Sequence, residues 1–520
     1  MRLDLIKDNI EYEQLLGQNS TDMVVKEEYV IPDTLPDVNE VLTLDAKPMV
    51  TNKDVSNGKV NVEGQIQFTV LYMAKEDEVI EAHPVTYNSK FASSLDVNGA
   101  TNDMLCEIDL CMEDIKCIII NERKISIQGV MNIKCDAYKM NSFEIVKDVE
   151  NGNDLQFLKS PMTVDKVMDP INGEVIGKCE LKVDMDKPEV GKVVNYNVNI
   201  GKKDIRLYDG GIRIEAVANV AILYKAKGCK DLVAVYTNVP LNKELTCEGL
   251  RPNMEHYTDF TVASFDHDVR EDDMGENRII DVEFLVRTCT HVMYKDEVEM
   301  IEDAYSPTNM INMNAEEYDI NVIQGQGQHE SLVKGDIEVG ENMPKPNKVI
   351  MANGTVSIVD KKISDDKVTI EGVLKVDVLY STEDEVNYVA CISDEIPFTS
   401  QIEVSGAMDN MEALTKAFLE MLEASVEVGN ISIRAIVRTQ CKVCYNAKKK
   451  FLVDMQASEE EVPKKKASII IYVVQPGDTL WQIAKKYFTT KEDIMAINDM
   501  AENGDIKPTQ KLIIPGRAVV

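Results

Sequence analysis

Roughly the first 450 residues of this chain carry one pattern three times over, and any fold it adopts must satisfy that repetition. Lys59-Val60-Asn61-Val62-Glu63-Gly64, running on to Val70-Leu71-Tyr72, returns as Gly211-Ile212-Arg213-Ile214-Glu215-Ala216, running on to Ile222-Leu223-Tyr224. It returns again as Lys367-Val368-Thr369-Ile370-Glu371-Gly372, running on to Val378-Leu379-Tyr380, at offsets of 152 and 156 residues. Upstream, Pro36-Asp37-Val38 matches Pro188-Glu189-Val190 and then Pro344 to Pro346. Downstream, Pro84-Val85, Pro240-Leu241 and Pro397-Phe398 hold a similar register, and Ile125-Ser126-Ile127, Ile280-Asp281-Val282 and Ile431-Ser432-Ile433 close each unit. Landmarks that keep register in this way define a threefold tandem array.

Alternation such as Val60 and Val62 against Asn61 and Glu63 has period two, so the units are mainly β. A unit of about 150 residues can bury its own core, and three independent domains of one topology are expected over 1–145, 146–302 and 303–456. Tyr72, Tyr224 and Tyr380 are read as core or strand-end residues. A short helix is expected at Met408 to Lys416, ahead of a strand from Leu422 to Val428. Residues 457–468 hold a charged, proline-bearing run and read as a linker from which the terminal module, 469–520, hangs free.

The terminal module has the order strand, helix, helix, strand, a small α+β (βααβ) unit. Tyr472-Val473-Val474 is a β-branched run stopped by a Pro476-Gly477 turn. Thr479 to Gln482 has capping-box spacing, and Leu480, Ile483, Ala484 and Tyr487 form one helical face. Thr490 starts a second helix, Asn498 ends it, and Lys511-Leu512-Ile513-Ile514 is a closing strand. Asp478 is read as a cap or a partner contact. Trp481, the only tryptophan, is expected to pack at the module's edge rather than stack on a sugar.

Val474-Gln475-Pro476-Gly477-Asp478-Thr479-Leu480-Trp481, Ile483-Ala484, Asn498 and Leu512-Ile513-Ile514-Pro515 together resemble a LysM domain. The resemblance implies binding of N-acetylglucosamine polymers, peptidoglycan or chitin, between two facing loops. Here these are Gly477, Asp478, Thr479 and Leu480, with Trp481 beside them, and Asp505, Ile506, Lys507 and Pro508. Ile506 is expected to be an exposed apolar anchor whose replacement by aspartate would spare both helices. One position departs from the family: Thr509 stands where a glycine is usual, next to the second loop. Tyr29-Val30-Ile31-Pro32-Asp33, Leu35-Pro36-Asp37-Val38 and the strand after them resemble the SPOCS repeat of spore-coat proteins. Tandem SPOCS repeats with a terminal LysM resemble the SipL family of coat morphogenetic proteins from clostridia. That resemblance implies a mother-cell protein at the forespore surface that binds the coat-scaffold ATPase, other coat proteins among its further partners.

Ninety acids against 56 bases give a net charge of −34, so phosphate backbones and anionic lipid repel the chain, and neither nucleic acid nor direct membrane insertion is expected. The terminal module, 472–520, differs in holding six of each sign. The amino terminus shows no signal-peptide pattern and the 11 cysteines are odd in number, which points to reduced thiols in a cytoplasm. Cys441-Lys442-Val443-Cys444 lacks a second ligand pair for zinc. No nucleophile elbow, zinc-protease motif or phosphate loop is present. Gly325-Gln326-Gly327 reads as a turn, and Glu271-Asp272-Asp273 as a solvated loop. No enzyme activity, cofactor or metal is expected. The leading expectation is a non-enzymatic assembly protein whose LysM holds a protein, and the alternative is a peptidoglycan binder of the spore cortex or cell wall.

Overall fold

The computed structural model describes residues 3–76, 79–150, 152, 154–341, 343–384, 387–462, 469–501 and 504–515. Repeat 1 comprises β1 (Asp4–Val30), β2 (Val38–Ser56), β3 (Lys59–Glu76), β4 (Val79–Asp96), β5 (Leu105–Asn121) and β6 (Lys124–Glu150). Consecutive strands β2, β3 and β4 form one antiparallel sheet, while β1 returns to pair with β6 in the order β1-β6-β5. The two sheets face each other across a core of Val60, Val62, Phe68, Val70, Ile125 and Ile127. Alternation in the sequence is thus the alternation between this core and solvent.

The other units follow the same path. Repeat 3 is β14 (Asn309–Ile337), β15 (Pro346–Ser364), β16 (Lys367–Thr382), β17 (Val389–Glu403), β18 (Glu412–Glu427) and β19 (Asn430–Glu461), in sheets β15-β16-β17 and β14-β19-β18. Repeat 2 differs only in its first strand, split into β7 (Gln156–Val167) and β8 (Ile171–Lys182). The split falls at Met168-Asp169-Pro170, where proline has no N–H to give the ladder. Both pieces pair with β13 (Asn277–Tyr305), which also holds β12 (Glu255–Glu271), and the other sheet is β9 (Val190–Tyr208), β10 (Gly211–Ala226) and β11 (Leu232–Thr246). The landmark segments of the three units therefore occupy the same central strands, β3, β10 and β16.

Two sequence landmarks prove to be one device. Tyr72, Tyr224 and Tyr380 are fully buried. Each hydroxyl donates to the carbonyl of the landmark proline 36 residues earlier: Pro36 at 2.9 Å, Pro188 at 2.8 Å and Pro344 at 3.0 Å. The tyrosine thus fastens the loop entering each sandwich to the strand at its centre.

The expected helix at Met408 to Lys416 is absent. Met411 N–H closes a turn on the Met408 carbonyl (3.1 Å), and from Glu412 the chain pairs with β19. The same turn stands at Thr101 to Met104 and Arg251 to Met254, each after a glycine at positive φ, Gly99 and Gly249, as Gly406 is here. Helix-forming residues in this stretch yield to the ladder, tertiary pairing outweighing weak local propensity.

Nor are the repeats independent. The equivalent Leu71, Leu223 and Leu379 meet in a single buried cluster. The far ends of the long first and last strands form ribbons that gather into a stalk, with Ile10, Phe143, Val164, Val298, Ile320 and Phe451 in its core. Phe143 stacks on Tyr318 with ring centres 3.9 Å apart, joining repeats 1 and 3. Strand β19 runs on to Glu461, so residues 457–461, expected in the linker, are strand instead. Residues 463–468 of that linker lie outside the described residues.

Candidate functional site

The terminal module consists of β20 (Ile469–Val473), α1 (Leu480–Lys486), α2 (Lys491–Ile497) and β21 (Lys511–Pro515), with β20 and β21 antiparallel. Val474, Leu480, Ile483, Ala484, Ile494, Leu512 and Ile514 make its core. Thr479 Oγ1 accepts from Gln482 N–H and Gln482 Oε1 accepts from Thr479 N–H, both at 3.2 Å, so the capping box is present as read. Thr490 caps α2 through Asp493 N–H. Asn498 ends α2 and also ties it to β21, exchanging two 2.7 Å bonds with the backbone of Ile513.

Of the first groove loop, Gly477 sits at φ +90° in the turn after Pro476, a conformation glycine adopts without strain. Asp478 does not cap the helix. Its Oδ2 accepts from Gln475 N–H at 2.7 Å and from the Tyr472 hydroxyl at 2.8 Å, clamping the turn to β20. These bonds hold its carboxyl below the usual aspartate range. Leu480 points into the core, and a Cβ on Gly504 would come within 3.2 Å of it, so the second loop starts directly against the first. Asp505, Lys507 and Pro508 are exposed. Ile506 is not the exposed anchor expected of it: it is partly buried against the module's core, and aspartate there would disturb the fold. Thr509, in the position of the usual glycine, has φ +70°, a left-handed conformation unfavourable for a β-branched residue.

The module does not hang free. Trp481 is 6% exposed because it faces the end of β13, with its indole N–H donating to Asp303 Oδ2 at 2.9 Å. Lys485 Nζ reaches the other oxygen of Asp303 at 2.5 Å. Tyr305 packs edge-on against the indole at 4.9 Å and donates its hydroxyl to the Thr489 carbonyl at 2.8 Å. Trp481 thus packs at the module's edge, as expected, and there it meets the array. Asp303 and Tyr305 were invisible to sequence reasoning, since nothing in their own repeat marks them as unlike their neighbours.

On the outer face of the small sheet, Ile469, Ile471 and Val473 are 58%, 67% and 41% exposed, and Ile513, opposite Ile471, is 38% exposed. The apolar run Ile469–Val474 has the composition of a strand covered on both faces, yet only its inner face is covered.

A cavity of about 550 Å³ lies where the three repeats meet and is lined by Glu107, Asp109, His256, Tyr257, Lys416 and Arg438 among others. Asp109, Asp259 and Lys416 hold equivalent places on β5, β12 and β18, opposite Lys134, Cys289 and Gln440. Lys416, the one base of these three, pairs with Asp259 at 2.7 Å and Glu107 at 3.2 Å. Burial opposes the Lys416 charge, but Asp259 and Glu107 outweigh it and hold the ammonium above its ordinary range. Glu107 also accepts from the Tyr257 hydroxyl at 3.0 Å, and His291 stands 3.2 Å from it. Cys441 and Cys444 are both buried, which pushes the Cys441 thiol up to about 11 and Cys444 upward too, leaving little thiolate. Among the described residues no group of three or more His, Cys, Asp or Glu side chains could hold a metal ion. No helix among them is long and apolar enough to cross a membrane.

Comparison with known proteins agrees with the geometry. A model of the SipL SPOCS domain matches residues 37–120, 189–270 and 345–427, and a LysM domain model matches 472–515. No curated protein and no solved structure gives a significant match. The two families are non-catalytic binding modules, and together they mark a sporulation coat-related protein. With three SPOCS domains and a LysM domain in that order, the chain is a SipL-like protein.

Proposed function

We propose that the protein is a non-enzymatic assembly factor of the spore coat, acting in the mother-cell cytoplasm at the forespore surface. Its LysM domain binds a protein, the coat-scaffold ATPase, and so tethers the coat. The observation that carries this reading is the bare aliphatic face of the LysM sheet, Ile469, Ile471, Val473 and Ile513. A glycan is recognised mainly by hydroxyl hydrogen bonds and ring stacking, whereas contiguous exposed aliphatics mark protein contact. Thr509 beside the second groove loop supports the same side, because it replaces the small, unstrained glycine of that site by a branched side chain. The loops Gly477–Leu480 and Asp505–Pro508 rim the contact.

The test is a binding measurement with purified ATPase on the full chain and on Ile471→Lys. Ile471 faces solvent, so the variant should fold normally. Losing an apolar anchor of this size costs about 1.5–3 kcal/mol, about tenfold to over a hundredfold in affinity. Unchanged affinity in a folded variant would remove the aliphatic face from the account. Tight binding of purified peptidoglycan by both forms would favour the glycan reading.

A further inference from the structure

Repeat 1 places three carboxylates on one wall of the cavity where the repeats meet. Glu107 on β5 lies directly opposite Asp136 on β6, and Asp109 is two residues further along the same face. Like charges directly across a ladder destabilise it. The fold does not ask for them. The places of Glu107 and Asp136 are held by Tyr257 and His291 in repeat 2, and by Leu414 and Lys442 in repeat 3.

Nor are these charges cancelled by the bases nearby. Lys416 is engaged by Asp259 and Glu107. Lys203 and Arg438 approach Glu420 at 3.9 and 3.4 Å, and Lys442 approaches Glu13 at 3.9 Å. Asp109 forms no hydrogen bond or ion pair with any described residue, Lys416 and Lys134 attracting it from beyond contact distance. Asp136 accepts one bond, from the Gln18 amide at 2.9 Å. Two residues on, Tyr138 is 7% exposed and lines the cavity, yet its hydroxyl has no hydrogen-bond partner among the described residues. A buried hydroxyl left unpaired costs free energy. Burial, then Glu107 and Asp136, push its ionisation upward, so it stays neutral, with an oxygen that can accept from a cation.

We propose that this cavity binds a small organic dication, a diamine or polyamine, with one ammonium at Asp109 and another between Asp136 and the Tyr138 hydroxyl. Asp109 and Asp136 are diagonal neighbours in the ladder, about 7–8 Å apart, a gap that one flexible diamine can bridge. Its two charges match the two carboxylates that the protein leaves without an ion pair. A single metal ion does not fit, because among the described residues no three acids, histidines or cysteines are grouped to hold one. Leu414 and Tyr257 line the same cavity and offer apolar surface to the methylene stem, and a volume of about 550 Å³ is ample for it.

The test is calorimetric titration of the full chain with putrescine at about 0.15 M salt, where attraction between exposed charges is screened beyond about 8 Å. One saturable equivalent is expected. Asp109→Asn and Asp136→Asn keep the shape and remove the charge, and each should weaken binding about tenfold or more, the worth of a hydrogen bond to a charged group. Tyr138→Phe should weaken it less, and Asp273→Asn, in an exposed loop, should change nothing. If one cavity variant does not fold, the others decide. No saturable binding to the wild type, or unchanged affinity in the folded cavity variants, would overturn the proposal. So would many equivalents weakened alike by Asp109→Asn and Asp273→Asn, which is counterion attraction to an acidic chain. Calcium chloride displacing putrescine one for one would equally overturn it, in favour of a metal site.

Discussion

Thr509 is the residue at which departure from family pattern and backbone strain coincide. A β-branched side chain at φ +70° costs about 1–3 kcal/mol. Thr509→Gly should therefore raise the module's stability by about 1 kcal/mol, the low end, because glycine also loosens the unfolded chain. Denaturant melts read through Trp481 would show it, and a lower midpoint would refute the strain. Asp478 supplies a pH dependence. Its folded pKa is depressed by the Gln475 and Tyr472 bonds, so its contribution is present above the ordinary aspartate pKa of about 4 and is lost as pH falls through the folded value. The stability gap between wild type and Asp478→Asn should be flat near neutrality and shrink below about pH 4. At this scale much was readable: Thr479, Thr490 and Asn498 do what their spacing says, because caps are local. The capping role offered for Asp478 failed because the donors it accepts from lie in the turn and on β20, where no helix rule reaches.

Among the elements, strands and their order followed from periodicity, and the topology from the repeated register. The false helix at Met408 to Lys416 shows the limit. Its residues favour helix, and only pairing with β19 makes them strand, a partner far along the chain. Lys416 belongs to this scale, since it ties β18 to β5 and β12. Lys416→Met should destabilise the protein by about 2 kcal/mol, less than the 3–5 of a fully buried pair because about a quarter of the side chain stays wet. A double-mutant cycle with Asp259→Asn should recover part of the loss. Additive effects would show that the pair is not coupled.

The whole molecule is where sequence reasoning gave out. Repeats that each bury a core were expected to stand apart. Instead they share clusters on their common axis, because Leu71, Leu223 and Leu379 and the ribbon aromatics are apolar beyond what one sandwich can cover. Docking of the LysM domain was likewise out of reach, resting on Asp303 and Tyr305 of β13 with Leu158 of β7 packed beside them. Asp303→Ala removes the acceptor of both Trp481 and Lys485, so the domain should detach. Small-angle scattering should show a larger maximum dimension and proteolysis should cut sooner between 457 and 468, while an unchanged envelope would mean that the Tyr305 contact suffices. The central claim, that this LysM domain serves a protein and not a glycan, is tested most directly by calorimetry of one preparation of the full chain against two ligands, the purified coat-scaffold ATPase and N-acetylglucosamine oligomers. Saturable binding of the ATPase with no heat from the oligomers is the predicted result, and saturable binding of the oligomers with none of the ATPase would contradict it.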